Sequence, residues 1–430
     1  MRIAPILIAS LINILYADPF TLIKKETNTS STPTLLVIGG IHGNEPGSYF
    51  ATAILAQYYQ ITKGNLWIIP DLNRLSIQRD NRGVNGDLNR KFADIDPNDP
   101  DIDIVQKIQQ VITQPQVGVV LNLHDGHGFY RKKYQNTIFN PNAWGQTCVI
   151  DQDALDRERP FGNLNQIASN ISNELNTNLI ETHHLFDVRN TNTKLDDEVM
   201  KHSLTYFAVT HNKPAFAIET SKNLSTLHEK VFYQLQAIEG YMKYMGIEFE
   251  RPFELTPTTL EKIVTLKGNV TINNNLYLSL DDLKNSLSLI PLQSERNDFK
   301  FSHPLGSVRH NKQSYDLYIG NKKIGSLIPS YYPTDNCKGL LAIEMDGKVK
   351  NFTFATDFFV TADFKVINDN SKMRVNIIGF TKRGVKDESN FPVALKDFDT
   401  NYSIDTLNKS YRIEFYEQSR FCGMVLAYFK

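Results

Sequence analysis

The chain has 430 residues, a formal net charge of -1, 41% hydrophobic residues and three cysteines. That length exceeds what one hydrophobic core normally serves, so more than one domain is expected. The near-neutral charge leaves no basic field for nucleic acid, and beyond the amino terminus no apolar run is long enough to cross a bilayer, which argues against an integral membrane protein.

Met1-Arg2, the apolar run from Ile3 to Tyr16, and Ala17-Asp18-Pro19 have the charged, hydrophobic and small-residue layout of a secretory signal over residues 1–17, with cleavage expected after Ala17. The run is too short to span a membrane; the competing reading is a buried element of the mature domain. Thr34 to Ile38 reads as a buried strand that runs into Gly39-Gly40-Ile41-His42-Gly43-Asn44-Glu45-Pro46-Gly47, where Pro46 suits the first turn of a helix. Leu66 to Ile69 is a second strand. The loop from Arg79 to Arg90 then sets Arg79, Arg82 and Arg90 among Gly and Asn residues.

Val117 to Leu123 is a further buried strand, and it leaves His124 at its carboxyl end, the edge at which open α/β sheets bind ligands. Trp144, in a loop, is a pocket wall or a core residue. Pro214 to Glu219 is an apolar strand that ends on an acid. The clearest helix runs from Leu224 to Met245, with Leu224, Leu227, Val231, Phe232, Leu235, Ile238, Met242 and Met245 on one face and Gly246 as a stop; this stripe is core. Strands alternating with helices make the first half α/β.

From Arg251-Pro252 onward the texture changes to short alternating strands, with turn signals at Gly320-Asn321 and Asp346-Gly347 and strand-like runs at Asn351 to Thr361, Met373 to Ile378 and Tyr411 to Tyr416. These suit sandwich or barrel modules. The expected organisation is a signal at 1–17, an α/β domain at 18–250 and two small all-β domains at 251–337 and 338–430, with a break around Pro333 to Lys338. Cys148, Cys337 and Cys422 outline no disulfide framework, although one bridge is compatible with an oxidising compartment.

The chemistry points to His42, Glu45 and His124. Catalytic zinc takes three protein ligands, often two His and a carboxylate, and keeps one position open. His42 and Glu45, three residues apart, share a face once helical turn begins; the chain must supply one more His, and His124 stands at a ligand-binding sheet edge. Alone, the His-x-x-Glu also describes a Gly-rich turn with exposed polar residues. His127 reads as a contact to substrate or to a ligand, whereas His183, His184, His202, His211 and His228 have no ligand-like spacing.

The order His42-x-x-Glu45, Arg82, Asn89-Arg90, His124 and Glu219 resembles the zinc carboxypeptidases of the carboxypeptidase A type and their aspartoacylase and succinylglutamate desuccinylase relatives. The resemblance implies a central mixed sheet flanked by helices, and Zn2+ held by His42, Glu45 and His124. It implies Glu219 as general base and acid, taking a proton from water and passing it to the leaving amine. Arg82 would steady the oxyanion, with Arg79 its rival. Asn89 and Arg90 would grip the terminal carboxylate, since a guanidinium binds two oxygens at once. The tyrosine that closes over substrate in the pancreatic enzymes has only Tyr206 as a loose counterpart.

A signal, this motif and a β-rich second half are together similar to the peptidoglycan DL-carboxypeptidases with which helical bacteria set cell shape. That similarity implies a periplasmic enzyme that releases meso-diaminopimelate from muramyl tripeptide, with β domains that position it on wall polymer or on cell-shape protein partners. The rival readings are an exported carboxypeptidase acting on ordinary peptides, a cytosolic N-acyl amino acid deacylase, and a non-catalytic wall-binding protein.

Overall fold

The computed structural model describes residues 18–27, 33–196, 198–334, 337, 339–382 and 384–430; the expected signal segment, and part of the expected break at Pro333 to Lys338, lie outside them. Two compact units divide at Leu266 and Lys267.

The first unit is built on a mixed sheet of seven strands: β1 (Ile23–Glu26), β2 (Thr34–Ile38), β3 (Asn65–Ile69), β4 (Val117–Gly126), β5 (Thr147–Ile150), β6 (Asp187–Asn190) and β7 (Ala215–Ser221). Their spatial order is β1-β3-β2-β4-β7-β5-β6. The centre is parallel, with β2 between β3 and β4 and with β7 beside β4. At the flanks β1 and β5 pair antiparallel to β3 and β7. Every residue of β2 and β4 is buried, which is why β2 and the stretch Val117 to Leu123 of β4 read as largely apolar runs: a parallel strand is covered on both faces.

Four longer helices flank the sheet: α1 (Pro46–Tyr58), α2 (Ile102–Ile112), α3 (Leu164–Leu175) and α4 (Leu227–Tyr244). α1 packs on α4 and on β4, α3 packs on α4 and β5, and α2 packs on β4. The helix expected from Leu224 begins at Leu227. Thr226 and Glu229 close a capping box that fixes the start, and Leu224 stays in the core as part of the preceding loop. Gly246 ends it with φ +72, a conformation that costs glycine little.

The second unit is all β. One part holds a three-stranded sheet of Leu276–Ser279, Asn269–Ile272 and Phe299–Phe301, and a four-stranded sheet of Ser286–Leu292, Lys322–Tyr331, Tyr315–Ile319 and Gly306–His310. The other part has two four-stranded sheets whose inner residues, among them Ile343 and Phe364 from one sheet and Val375, Ile413 and Val425 from the other, share one core. Gly320-Asn321 and Asp346-Gly347 both close hairpins, and Asp346 and Gly347 each take positive φ, as a two-residue hairpin loop demands.

The run Asn351 to Thr361 is two strands rather than one, Lys348–Phe352 and Thr356–Val360, separated where Ala355 turns at φ +58. In the strand Ser410–Glu417 the alternation does not divide core from solvent. Arg412, Glu414 and Tyr416 are as buried as Tyr411, Ile413 and Phe415, because Arg412 pairs with Glu414 at 3.1 Å and the Tyr416 hydroxyl donates to Glu414 at 2.6 Å. Cys337 and Cys422 form a disulfide with Cα atoms 5.3 Å apart, and Cys148 is free and buried. Among the described residues no helix is long and apolar enough to cross a membrane.

Candidate active site

His42 and Glu45 lie in the loop that carries the chain from β2 into α1. The loop is tight because Gly43 lies against the backbone of Ser76, where a Cβ would come within 2.0 Å of the Ser76 carbonyl. Glu45 occupies the N-cap position of α1, yet its carboxylate makes no capping bond. Asp125 of β4 takes over that task, accepting the Gly47 N–H at 2.8 Å, and the Glu45 carboxylate is released toward the histidines.

His124 arrives from β4. Its Nδ1 stands 2.9 Å from Glu45 Oε2 and 3.2 Å from His42 Nδ1, and His42 Nδ1 stands 3.0 Å from Glu45 Oε1. All three side chains are buried, and they form a group able to hold a metal ion. Donors bound at zinc-like distances in a tetrahedron stand about 3.4 Å apart, so these three need only small adjustments.

The far side of each ring supports the same reading. His42 Nε2 donates to Asp87 Oδ1 at 2.8 Å. An ionised carboxylate only accepts, so this contact holds the proton on Nε2 and turns the Nδ1 lone pair toward Glu45. His124 Nε2 meets the Asn122 amide nitrogen at 2.8 Å, while the buried Asn122 Oδ1 has no partner. Turning that amide end for end would give Nε2–H an acceptor and leave Nδ1 free to ligate, the state that a cation requires.

Electrostatics divide the acids. Burial alone would raise the Glu45 pKa, but His42 and His124 hold it well below the usual carboxylate range. Burial would lower His42, yet Glu45 and Asp87 raise it; His124, with burial dominant, falls below the usual imidazole value. Glu219 goes the other way, pushed well up by burial and then by the charges of Glu45 and Asp125. Burial likewise lifts Asp125 to about 6.

One cavity gathers most of the expected residues: Arg82, Asn89, Arg90, Trp144 and Glu219 line it with His42, Glu45 and His124, and His127 does too. Arg82 donates from Nη1 to Glu45 Oε1 at 3.1 Å and from Nε to Asp87 Oδ2 at 3.0 Å. Asn89 is buried, and its Oδ1 accepts the Leu204 N–H at 2.9 Å. Gly126 lets the wall close, since a Cβ there would lie 2.5 Å from Trp144 Cβ and 2.8 Å from Glu219 Oε2. Arg79 is exposed at the end of the short helix Arg74–Gln78, and neither it nor Tyr206 lines the cavity.

Asp87, Asn122, Asp125, Met200 and Lys222 belong to this region but were not singled out from the sequence. Asp87 lies in the same string as Asn89 and Arg90. Asn122, two residues before His124, shares its strand face, and a polar residue inside an apolar strand was the signal available. Met200 and Lys222 carry no local pattern.

Over residues 1–265 the sequence matches the catalytic part of carboxypeptidases controlling helical cell shape, and over residues 334–430 it matches the C-terminal domain of metallo-carboxypeptidases. No curated protein sequence matches the chain. Among solved structures, the apo form of the cell shape determinant Csd4 from Helicobacter pylori is 33% identical, with a TM-score of 0.88 over 96% of this chain and 100% of that one. Its tripeptide-bound form is 33% identical and gives 0.87 over the same shares. The mDAP-bound form, described as a D,L-carboxypeptidase, is 33% identical and gives 0.88 over 95% of this chain and 100% of that one. The His-Glu-His cluster therefore sits in a catalytic domain whose family is shown across more than half of the chain, and the protein belongs to the metallocarboxypeptidases that control helical cell shape.

Proposed function

We propose that the protein is a zinc-dependent D,L-carboxypeptidase that hydrolyses the last amide of peptidoglycan tripeptide, releases meso-diaminopimelate and acts in the periplasm. The observation that carries this is the convergence of His42, Glu45 and His124 in one cavity with Glu219, Arg82, Asn89 and Arg90. Two imidazoles and one carboxylate suit zinc. When bound, the ion supplies Lewis-acid chemistry, polarising the scissile carbonyl and making water acidic near neutral pH.

The side chains do the rest. Glu219 takes a proton from the attacking water and delivers it to the leaving amine, a task suited to a carboxyl whose proton affinity is raised by burial and by the charges of Glu45 and Asp125. Arg82 faces the oxyanion that develops on the carbonyl, and its contacts with Glu45 and Asp87 pre-aim it. Arg90, backed by a 2.8 Å bond from Nη1 to the Asn89 carbonyl, holds the terminal carboxylate with the Asn89 amide, and Trp144 walls the cavity.

Export is supported by the signal-like residues 1–17 and by the Cys337–Cys422 disulfide, since such bonds persist in oxidising compartments. Intact-mass measurement of the mature protein checks it: removal of residues 1–17 is expected, and a retained amino terminus in the cytosol would contradict it. For the activity, the test is hydrolysis of muramyl tripeptide against a hippuryl peptide by the zinc-loaded enzyme. Preference for the tripeptide is expected, and equal or reversed preference would point to a general peptidase.

A further inference from the structure

Among the described residues, three arginine or lysine side chains line the cavity: Arg82, Arg90 and Lys222. Arg82 is committed to Glu45 and Asp87, and Arg90 is assigned to the terminal carboxylate beside the scissile amide. We infer that Lys222 recognises a second carboxylate of the substrate, an inference that rests on the carboxypeptidase reading above.

The backbone of Lys222 is fixed. Its N–H donates to the Gly126 carbonyl at 2.6 Å, and the preceding Ser221 is buried, donating from N to Gln146 Oε1 at 3.1 Å and from Oγ to the Gly128 carbonyl at 2.6 Å. The side chain is far less committed. Among the described residues its ammonium has one partner, Glu45 Oε1 at 3.4 Å, an oxygen already 3.0 Å from His42 and 3.1 Å from Arg82. A carboxylate that gives electron density to a metal offers less to an ammonium. Lys222 is thus a loosely held cation on a four-carbon stem, a third exposed, rooted beside Glu219 and Gly126.

Diaminopimelate carries a second carboxylate at the far end of its side chain. The residue on the acyl side supplies another when it is a glutamate joined through its side chain. Both offer an ammonium the same charge-assisted hydrogen bond. The full-length, zinc-loaded enzyme and its Lys222→Met and Lys222→Arg variants would be assayed on three peptides: muramyl tripeptide, the same peptide with lysine in place of diaminopimelate, and the same peptide with the acyl-side carboxylate converted to an amide. Metal content is measured alongside.

The wild type is expected to prefer the tripeptide over one of the two analogues by about tenfold or more in kcat/KM, mainly through KM. Lys222→Met would bring that ratio close to one with metal retained, and Lys222→Arg would keep most of it; the analogue concerned identifies which carboxylate is read. An equal loss on all three peptides, or an unchanged ratio, would overturn the inference. Failure of the wild type to cleave any of the three would instead remove the carboxypeptidase reading on which it rests.

Discussion

Glu219 stands opposite His124 in the parallel pairing of β7 with β4. Neighbouring strands lie about 4.8 Å apart, so one register brings the candidate base and a candidate metal ligand together at the same end of the sheet. A slip of one residue would turn each side chain to the opposite face. The packing defends this register, with Gln234 of α4 donating to the His124 and Ile218 carbonyls at 2.7 and 3.3 Å.

Glu219→Gln should separate chemistry from metal binding. The amide keeps the shape but cannot take a proton, so kcat should fall by about 10²- to 10⁴-fold while zinc content, measured by elemental analysis, stays at the wild-type level. Unchanged activity would remove Glu219 from the mechanism.

Asn122→Leu removes the partner of His124 Nε2 without touching a candidate ligand. Metal affinity, read by competition with a chelator, should weaken about 10- to 100-fold, and Asp87→Asn should act in the same direction through His42. Wild-type affinity in both would show that the two rings need no orienting partners.

Breaking the Cys337–Cys422 bond should destabilise the second unit. The bridge closes a sequence separation of 85 residues, so reduction or a double Cys→Ala substitution should cost about 2–4 kcal/mol in denaturant unfolding. No change in the unfolding midpoint would mean that the sheets hold this segment without it.

His303 should make stability depend on pH. Burial lowers its pKa from 6.5 to about 4, and its Nδ1 accepts the Leu305 N–H at 3.1 Å, a contact that requires the neutral ring. Below pH 6.5 the unfolded chain takes up the proton and the folded chain does not until about pH 4. The contribution is therefore whole above pH 6.5 and lost as pH falls toward 4, up to about 3 kcal/mol. His303→Asn keeps an acceptor without titrating, so its unfolding free energy should fall less between pH 7.5 and 4.5 than that of the wild type; parallel curves would exclude His303 as a source of the pH dependence.

Much of the first unit was legible because its central strands are buried on both faces and stand out as largely apolar runs: Thr34 to Ile38 has the observed bounds, and Val117 to Leu123 falls short only by His124, Asp125 and Gly126. The gathering of His42, Glu45, His124 and Glu219 was legible as an order of residues, since each closes or follows such a run. What failed was local and chemical. A capping box moved the start of α4, and Ala355 broke a strand that composition left continuous. The role of Arg412, Glu414 and Tyr416 was hidden because an alternating strand looks the same whether its polar face meets water or a buried ion pair. Lys222 was invisible for a different reason: what marks it is distance from Glu45, and nothing along the chain encodes that.

Whole muropeptides incubated with the zinc-loaded enzyme, with Glu219→Gln as control and the products analysed by mass, report bond and substrate together. Conversion of tripeptide species to dipeptide with loss of one diaminopimelate, absent in the control, is the predicted result. Intact tripeptides, or the same products from the Glu219→Gln variant, would contradict it.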